Sequence, residues 1–127
     1  MVKLILPYPP TVNHYWQSFT AWRAGKKIVK KTLSVKAKKF VNDVHFHVVK
    51  EKAAKRYATP VEINIGVYLP DKRKRDLDNL LKGLFDALTK ARVIEDDSLV
   101  HSFSIQRLGI ESPGRIELTV TPIEGTS

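Results

Sequence analysis

Two short groups of acidic residues flank an apolar stretch in the second half of this sequence. Asp76 and Asp78 form the first group, and Glu95, Asp96 and Asp97 form the second. The sequence contains no cysteine, which excludes thiolate ligands and a cysteine nucleophile. Carboxylate oxygens without soft ligands favour a hard divalent cation whose shell is completed by water. The two groups could therefore supply carboxylates to one cation site if the chain brings them together.

Basic residues surround the first acidic group, and four consecutive cations precede it directly: Lys72, Arg73, Lys74 and Arg75. Bare carboxylates repel a phosphate backbone unless a cation reverses their charge. A cation bound there would polarise a phosphoryl oxygen and lower the pKa of a bound water, which gives a nucleophile near neutral pH. Lys82 follows Asp78 by four residues, so it can stabilise charge that develops in the transition state. The residue types are those needed for phosphodiester hydrolysis.

A structural role explains the same residues equally well. Asp78 can be the N-cap of a following helix, and Asp78 and Lys82 can form an i,i+4 ion pair. Residues 95–97 can be a solvated turn. Spacing alone leaves both interpretations open.

Two elements would position the acids. Residues 61–69 alternate between apolar and polar side chains, which predicts a half-buried strand that ends at Pro70. Apolar residues between 77 and 88 recur at helical spacing, which predicts an amphipathic helix that runs to about Lys90.

The chain around this helix decides whether the acids meet. Residues i and i+2 share a side only in extended backbone, so Asp76 and Asp78 can converge if the helix begins at or after Asp78. A helix over 79–90 spans roughly 18 Å, and residues 91–97 can extend roughly 23 Å. Asp97 can therefore return antiparallel to the helix and reach its beginning.

The first half of the chain predicts a strand, an irregular region and a helix. Residues 1–6 are apolar and favour a strand, and residues 11–31 favour a long loop or an irregular hairpin. Ser34 is a candidate N-cap for a helix from Val35 to about Arg56.

The end of the chain predicts two strands. Residues 99–107 and 115–121 alternate in polarity, and a turn at 111–114 lets them pair as a hairpin. We therefore expect a single domain over residues 1–127 with an α+β fold. A mixed β-sheet would be covered on one face by two main helices, in the order β-loop-α-β-α-β-β.

The charge distribution indicates a polyanionic partner. The chain has a formal net charge of +9, and residues 1–42 contain nine basic side chains and no acidic one. Such a field attracts nucleic acid in particular. The sequence has neither a signal peptide nor an apolar stretch long enough for a membrane helix. We expect a soluble, cytoplasmic protein without a membrane partner.

The sequence between the two acidic groups resembles a known family. Residues 70–82 read Pro-Asp-Lys-Arg-Lys-Arg-Asp-Leu-Asp-Asn-Leu-Leu-Lys, residues 85–90 read Phe-Asp-Ala-Leu-Thr-Lys, and Asp96 and Asp97 follow. This pattern is closely similar to that of RusA-type Holliday junction resolvases. The start of the chain, Leu-Pro-Tyr-Pro-Pro at residues 6–10 followed by Asn13, is similar to the N-terminal signature of that family.

The resemblance implies a homodimeric, magnesium-dependent endonuclease without an organic cofactor. Such an enzyme makes paired, symmetric nicks across a four-way (Holliday) DNA junction and leaves ends that can be ligated. The metal-binding catalytic aspartates of the family fall on Asp76, Asp78 and Asp97, and its essential lysine falls on Lys82. Asp96 is the less certain acid, because the family carries catalysis on the second acid of this pair.

One position departs from the family pattern. Where the family usually has a glycine before the returning segment, this chain has Arg92 after Ala91. The departure concerns the C-terminal cap of the helix and not the ligands.

Several basic residues are candidates for DNA contacts. Lys72 to Arg75 would grip phosphates next to the scissile bond. Further residues are assigned to a basic surface and a polar contact near the site: Lys26, Lys27, Lys30, Lys31 and Asn13.

Two other functions remain open. One is a non-catalytic basic module for nucleic acids, in which the acids only cap and brace the helix. The other is a metal-dependent nuclease for a different substrate, such as flaps, replication forks or RNA.

Overall fold

The computed structural model describes residues 1–10, 16–23, 25–73 and 76–123, with the backbone alone for 16–23 and 28–32. In chain order, the elements are β1 (Val2–Pro7), β2 (Trp16–Arg23), β3 (Lys26–Leu33), α1 (Val35–Lys50), β4 (Val61–Leu69), α2 (Leu81–Lys90), β5 (Val100–Ile110) and β6 (Arg115–Pro122). Two 3-10 turns carry the acids. The 77–80 turn (Leu77–Leu80) precedes α2, and the 97–99 turn (Asp97–Leu99) precedes β5.

Four strands form a mixed sheet in the order β1-β6-β4-β5. β6 is antiparallel to both β1 and β4, whereas β5 pairs with β4 in the parallel sense. The strand predicted from alternation at 61–69 is confirmed, and its apolar positions are buried: Val61, Ile63, Ile65, Val67 and Leu69. The α+β prediction is confirmed.

The expected hairpin between the last two strands is wrong. β5 and β6 lie on opposite sides of β4 and pair with it instead of with each other. Their side chains explain this order, because β6 buries every second residue whereas β5 is exposed along most of its length. A strand with a buried face gains most at the centre of the sheet, and a polar strand is tolerated at the edge.

The connection between β5 and β6 crosses the end of β4. The N–H of Glu111 donates to the carbonyl oxygen of Leu69 at 2.9 Å. Gly114 has φ +87°, and a Cβ there would lie 3.0 Å from the carbonyl oxygen of Tyr68 and 3.1 Å from Pro70. Both the backbone conformation and the close approach require glycine at this position.

β2 and β3 form a separate antiparallel hairpin. Gly25 in its turn has φ +76°, a conformation that glycine adopts readily. The hairpin interpretation of this region is therefore confirmed, and the long-loop interpretation is wrong for residues 16–23 and 25–33. Asn13 lies outside the described residues.

Helix α1 begins at the predicted cap. The Ser34 hydroxyl accepts a hydrogen bond from the N–H of Ala37 at 3.1 Å. The helix ends at Lys50 and not near Arg56, because Lys52 adopts φ 54°. The N–H groups of Lys52 and Ala53 donate to Val49 and Val48 at 3.2 and 2.8 Å. This Schellman motif stops the helix although the sequence remains compatible with another turn.

The helices lie on one face of the sheet. α1 contacts both β1 and α2, and it buries Ala37, Phe40, Val44 and Val48 in the core shared with the strands. Lys3, Asn64 and Ser104 are exposed on the opposite face of the sheet. Of the helices that the structure describes, none has the length and apolar character needed to cross a membrane.

Candidate active site

The first acidic group lies where the chain enters α2. Asp76 has extended backbone (φ −88°, ψ 124°) and is the N-cap of the 77–80 turn, and Asp78 is the second residue of that turn. The turn continues directly into α2. Helical backbone thus begins one residue before Asp78, so the extended i,i+2 geometry that would bring the two carboxylates to one side is not present.

The carboxylates of the first group do not cap the helix. The N-cap is Asp76 and not Asp78, and the Asp76 side chain makes no capping hydrogen bond. The exposed carboxylates of Asp76, Asp78 and Asp97 accept no hydrogen bond and form no ion pair with any residue that the structure describes. Asp78 is therefore not the N-cap considered for it, and none of the described residues engages the three carboxylates.

Helix α2 ends in the same way as α1. Arg92 has φ 66°, its N–H donates to Thr89 at 3.1 Å, and the N–H of Val93 donates to Leu88 at 3.0 Å. The left-handed position explains why the family pattern has a glycine here, because an L side chain costs roughly 1–2 kcal/mol in that conformation. Arg92 adopts the left-handed conformation despite this cost, so the hydrogen bonds of the C-cap are formed.

Backbone hydrogen bonds hold the chain between α2 and the second acidic group. The N–H of Tyr57 donates to Val93 at 3.1 Å, and the N–H of Glu95 donates to Tyr57 at 2.9 Å. Val93 and Ile94 are buried in the core. The backbone immediately before Asp96 is therefore held in place.

Two adjacent carboxylates of the second acidic group, Asp96 and Asp97, have different surroundings. Asp96 is the N-cap of the 97–99 turn, and it accepts hydrogen bonds from the Ser98 hydroxyl and from the Ser98 N–H, the latter at 3.0 Å. The hydroxyl bond and then the backbone bond lower the pKa of the Asp96 carboxyl, because both stabilise its charged form. Asp97 begins the turn itself.

Each acid-bearing turn contacts the element that follows the other turn. Val100 at the start of β5 pairs with Val61 at the start of β4, whereas the 77–80 turn follows the end of β4. The chain over 70–76 must therefore run back along the sheet if the acids are to meet. The 97–99 turn contacts α2, and the 77–80 turn contacts β5.

The metal centre stays a prediction. Within the described ranges of the chain, no three His, Asp or Glu side chains are grouped so that they could hold a metal ion. The chemistry of the donor set does fit a hard divalent cation, since three exposed carboxylates without other partners in those ranges are oxygen ligands of the required type.

The basic candidates lie on exposed parts of the chain as far as the structure describes them. Lys72, Arg73 and Lys82 are exposed, and Arg73 lies 3.6 Å from the Asp71 carboxylate, which also accepts its N–H at 2.9 Å. Lys26 and Lys27 are exposed at the start of β3. For Lys30 and Lys31 in β3 only the backbone is described, and Lys74 and Arg75 lie outside the described residues.

Comparison with known proteins decides the family. The model of the endodeoxyribonuclease RusA family matches residues 7–121, which include both acidic groups and Lys82. The chain belongs to the RusA family. As a family member it is an endodeoxyribonuclease.

Curated RusA proteins match over nearly their whole length. The crossover junction endodeoxyribonuclease RusA of Escherichia coli K12 is 35% identical over 119 residues, which is 94% of this chain and 92% of that protein. Its counterpart from Enterobacteria phage 82 is 34% identical over 118 residues, which is 93% of this chain and 92% of the phage protein. The RusA of Shigella sonnei is 34% identical over 119 residues. The resemblance read from the sequence motifs is confirmed.

Sequence analysis missed the residues that support the second acidic group. Ser98 donates to Asp96, and Tyr57 holds the chain just before it. The Asp-x-Ser pattern at 96–98 was a readable signal, because Asp is a favoured N-cap whose side chain accepts from the second residue of the turn. The Tyr57 contact has no local signal, since 38 positions separate it from Glu95.

Proposed function

We propose that this chain resolves four-way DNA junctions by paired, symmetric nicks. Membership of the RusA family carries the proposal, because relatives named as crossover junction endodeoxyribonucleases match 94% of the chain. The exposed carboxylates of Asp76, Asp78 and Asp97 support it, since they have no partner among the described residues and each of their turns contacts the element that follows the other turn.

Asp76, Asp78 and Asp97 would together hold one or two Mg²⁺ ions. Such an ion supplies charge stabilisation at a phosphoryl oxygen and a bound water of lowered pKa. The three side chains can turn towards a ligand without breaking a hydrogen bond to a described residue. The first group follows the end of β4 and the second precedes β5, so binding a common ligand would fix these two parts of the chain relative to each other.

Basic side chains would hold the DNA. The exposed Lys82 ammonium would stabilise negative charge on the phosphate under attack, because it stands four residues after Asp78 at the start of α2. Exposed Lys72 and Arg73 would contact neighbouring phosphates, which positions the DNA without reading its sequence. The net charge of +9 supplies the long-range attraction.

Two symmetric nicks need two copies of the site. A homodimer with twofold symmetry supplies them most simply, because each half of a junction then meets the same surface. Sedimentation would measure the number of protein copies in the free protein and the number bound to one junction.

The function is tested by strand-mapped cleavage of a fixed synthetic four-way junction. Each strand is labelled in turn, and Mg²⁺, Ca²⁺ and EDTA are compared at constant salt. We expect paired cuts at symmetric positions on two opposing strands with Mg²⁺, and intact strands with EDTA. Binding without any cut in Mg²⁺ would identify a non-catalytic module, and faster cutting of flaps or forks would identify a nuclease for other branched DNA.

The Asp76→Asn variant separates binding from cleavage. We expect it to lose nicking while it binds the junction as tightly as the wild type or more tightly, because a negative charge near the phosphates is removed. Glu51→Gln is the matched control, since it removes one exposed carboxylate at the end of α1 and should cut normally. Loss of junction binding by a folded Asp76→Asn protein would contradict the assignment.

A further inference from the structure

Asp96 and Asp97 are adjacent acids that differ in what they contact. The Asp96 carboxylate accepts hydrogen bonds from the backbone N–H and the hydroxyl of Ser98. The Asp97 carboxylate accepts none from the described residues. Both donors reach Oδ2 of Asp96, so this carboxylate is engaged within its own turn, whereas the Asp97 carboxylate has no such contact among the described residues.

The backbone shows what the Asp96 bonds hold in place. Asp96 is extended (φ −157°, ψ 149°), and its carbonyl oxygen accepts from the N–H of Leu99 at 3.2 Å. The main-chain and side-chain bonds of Asp96 together close the 97–99 turn on both sides of Asp97. Before the turn, the N–H of Glu95 is fixed to Tyr57 at 2.9 Å.

We propose that Asp96 is a positioning residue for Asp97: its carboxylate holds the 97–99 turn through Ser98 and so sets the direction in which Asp97 projects. The inference rests on the proposed function in one respect, which is that Asp97 is the catalytic acid of this turn. The inference gives Asp96 a positioning role and Asp97 the catalytic role.

The decisive variants distinguish loss of the hydrogen-bond acceptor at Asp96 from loss of its negative charge. Asp96→Asn keeps an oxygen that can accept from Ser98, and asparagine caps about as well as aspartate. Asp96→Ala removes the acceptor. Asp97→Asn removes the charge of the adjacent carboxylate and serves as the reference for loss of a metal ligand. Ser98→Ala removes only the hydroxyl donor.

The readout is kcat and KM for the junction, together with the Mg²⁺ concentration at half-maximal rate. We expect Asp96→Asn to cut within about threefold of the wild-type rate and Asp97→Asn to cut undetectably. For Asp96→Ala we expect kcat to fall on the order of tenfold to a hundredfold with KM unchanged, because a misdirected catalytic group costs rate and not binding. Ser98→Ala should fall between wild type and Asp96→Ala.

Each outcome decides the inference. Asp96→Asn as inactive as Asp97→Asn would make Asp96 a ligand itself, and Asp96→Ala as active as wild type would remove its positioning role. A parallel rise in KM, or a fall in melting temperature large enough to unfold Asp96→Ala under assay conditions, would indicate a general structural defect. Activity that is retained in Asp96→Asn and lost in Asp96→Ala, with an unchanged Mg²⁺ requirement, is the result expected of a positioning residue.

A direct measurement separates this inference from the proposed function. The amide resonance of Ser98 in NMR spectra should move upfield in Asp96→Ala and stay near its wild-type position in Asp96→Asn, because only alanine removes the acceptor. An unchanged Ser98 amide in Asp96→Ala would refute the inference even if the wild type cuts junctions. A wild type that cuts no DNA, with the Ser98 amide shifted as expected, would refute the proposed function and leave the capping intact.

Discussion

The two acid-bearing turns differ in how the chain prepares them. The 97–99 turn is capped by a side chain and follows a segment that is hydrogen-bonded to Tyr57. The 77–80 turn has Asp76 at its N-cap without a side-chain bond, and it follows a run of four cations. The 97–99 turn is thus braced by a side-chain cap, whereas the 77–80 turn is anchored by buried Leu80 and carries carboxylates that none of the described residues engages.

This difference suggests a division of labour within one site. A held turn provides a fixed reference, and the unengaged acids can adjust to a ligand that binds against it. Preorganisation on one side lowers the cost of assembling the site, and the remaining freedom is lost when the ligand binds. The predictions below test this difference between the turns.

Asp78→Asn should have the largest effect on activity and almost none on stability. Its carboxylate makes no bond to a described residue, so the melting temperature should stay at the wild-type value while cleavage becomes undetectable. Asp96→Ala, in the other turn, should lower the melting temperature, because it removes a cap. Calorimetry and junction cleavage measure the two effects, and equal melting temperatures for both variants would break the comparison.

Lys82→Gln should lower kcat on the order of a hundredfold and leave the junction Kd within a few-fold of wild type. Loss of one donor to developing negative charge costs about this much in other enzymes. Lys90→Gln is the matched control, because Lys90 lies at the other end of α2 and is 2.9 Å from Asp86 in an ion pair. Single-turnover cleavage with saturating protein gives the rate. Equal effects of the two variants would show that only the net charge of α2 matters.

Lys72→Gln and Arg73→Gln should weaken junction binding several-fold each and reduce the slope of log Kd against log salt by about one unit. Both residues precede the 77–80 turn, so their effect should be on binding and not on kcat. Lys3→Gln is the control, since Lys3 is exposed on the uncovered face of the sheet. If neither Lys72→Gln nor Arg73→Gln changes the slope of log Kd against log salt, the DNA binds elsewhere on the protein.

Arg92→Gly should have the smallest effect on activity and a measurable effect on stability. Relief of the left-handed strain should raise the free energy of unfolding by about 1 kcal/mol. Lys52→Gly makes the same change at the end of α1, far along the chain from both turns, and should give a similar gain in urea unfolding. Loss of activity in Arg92→Gly alone would mean that Arg92 has a role beyond the helix cap.

Local patterns predicted the elements well where one force decides them. β4 was predicted with its observed bounds, because strict alternation has a single solution when one face is buried. α1 was predicted too long, since the left-handed Lys52 overrides a pattern that still favours helix. The hairpin of β5 and β6 was predicted wrongly, because strand order depends on burial across the whole sheet and not on the turn between neighbours.

The site could be predicted only in part, for a related reason. The family pattern identified the acids and Lys82 by type and spacing. The Asp-x-Ser pattern could have shown that Ser98 donates to Asp96, but spacing gave no way to see that parallel pairing places the start of β5 beside the start of β4. The relative placement of two acidic groups depends on contacts between distant parts of the chain, which local periodicity does not encode.

Gly114 packs against the end of β4, shortly before the run of cations that we propose to bind DNA. The atoms that a side chain at this position would strike belong to Tyr68 and Pro70, and Pro70 stands two residues before the first cation of that run. A side chain at position 114 would displace the chain at Pro70, just before the cations, although residue 114 itself has no role in catalysis or binding. A disabling substitution can thus arise in a surface bend far downstream in the sequence, and a survey of this enzyme for inactive alleles should include that bend along with the acids.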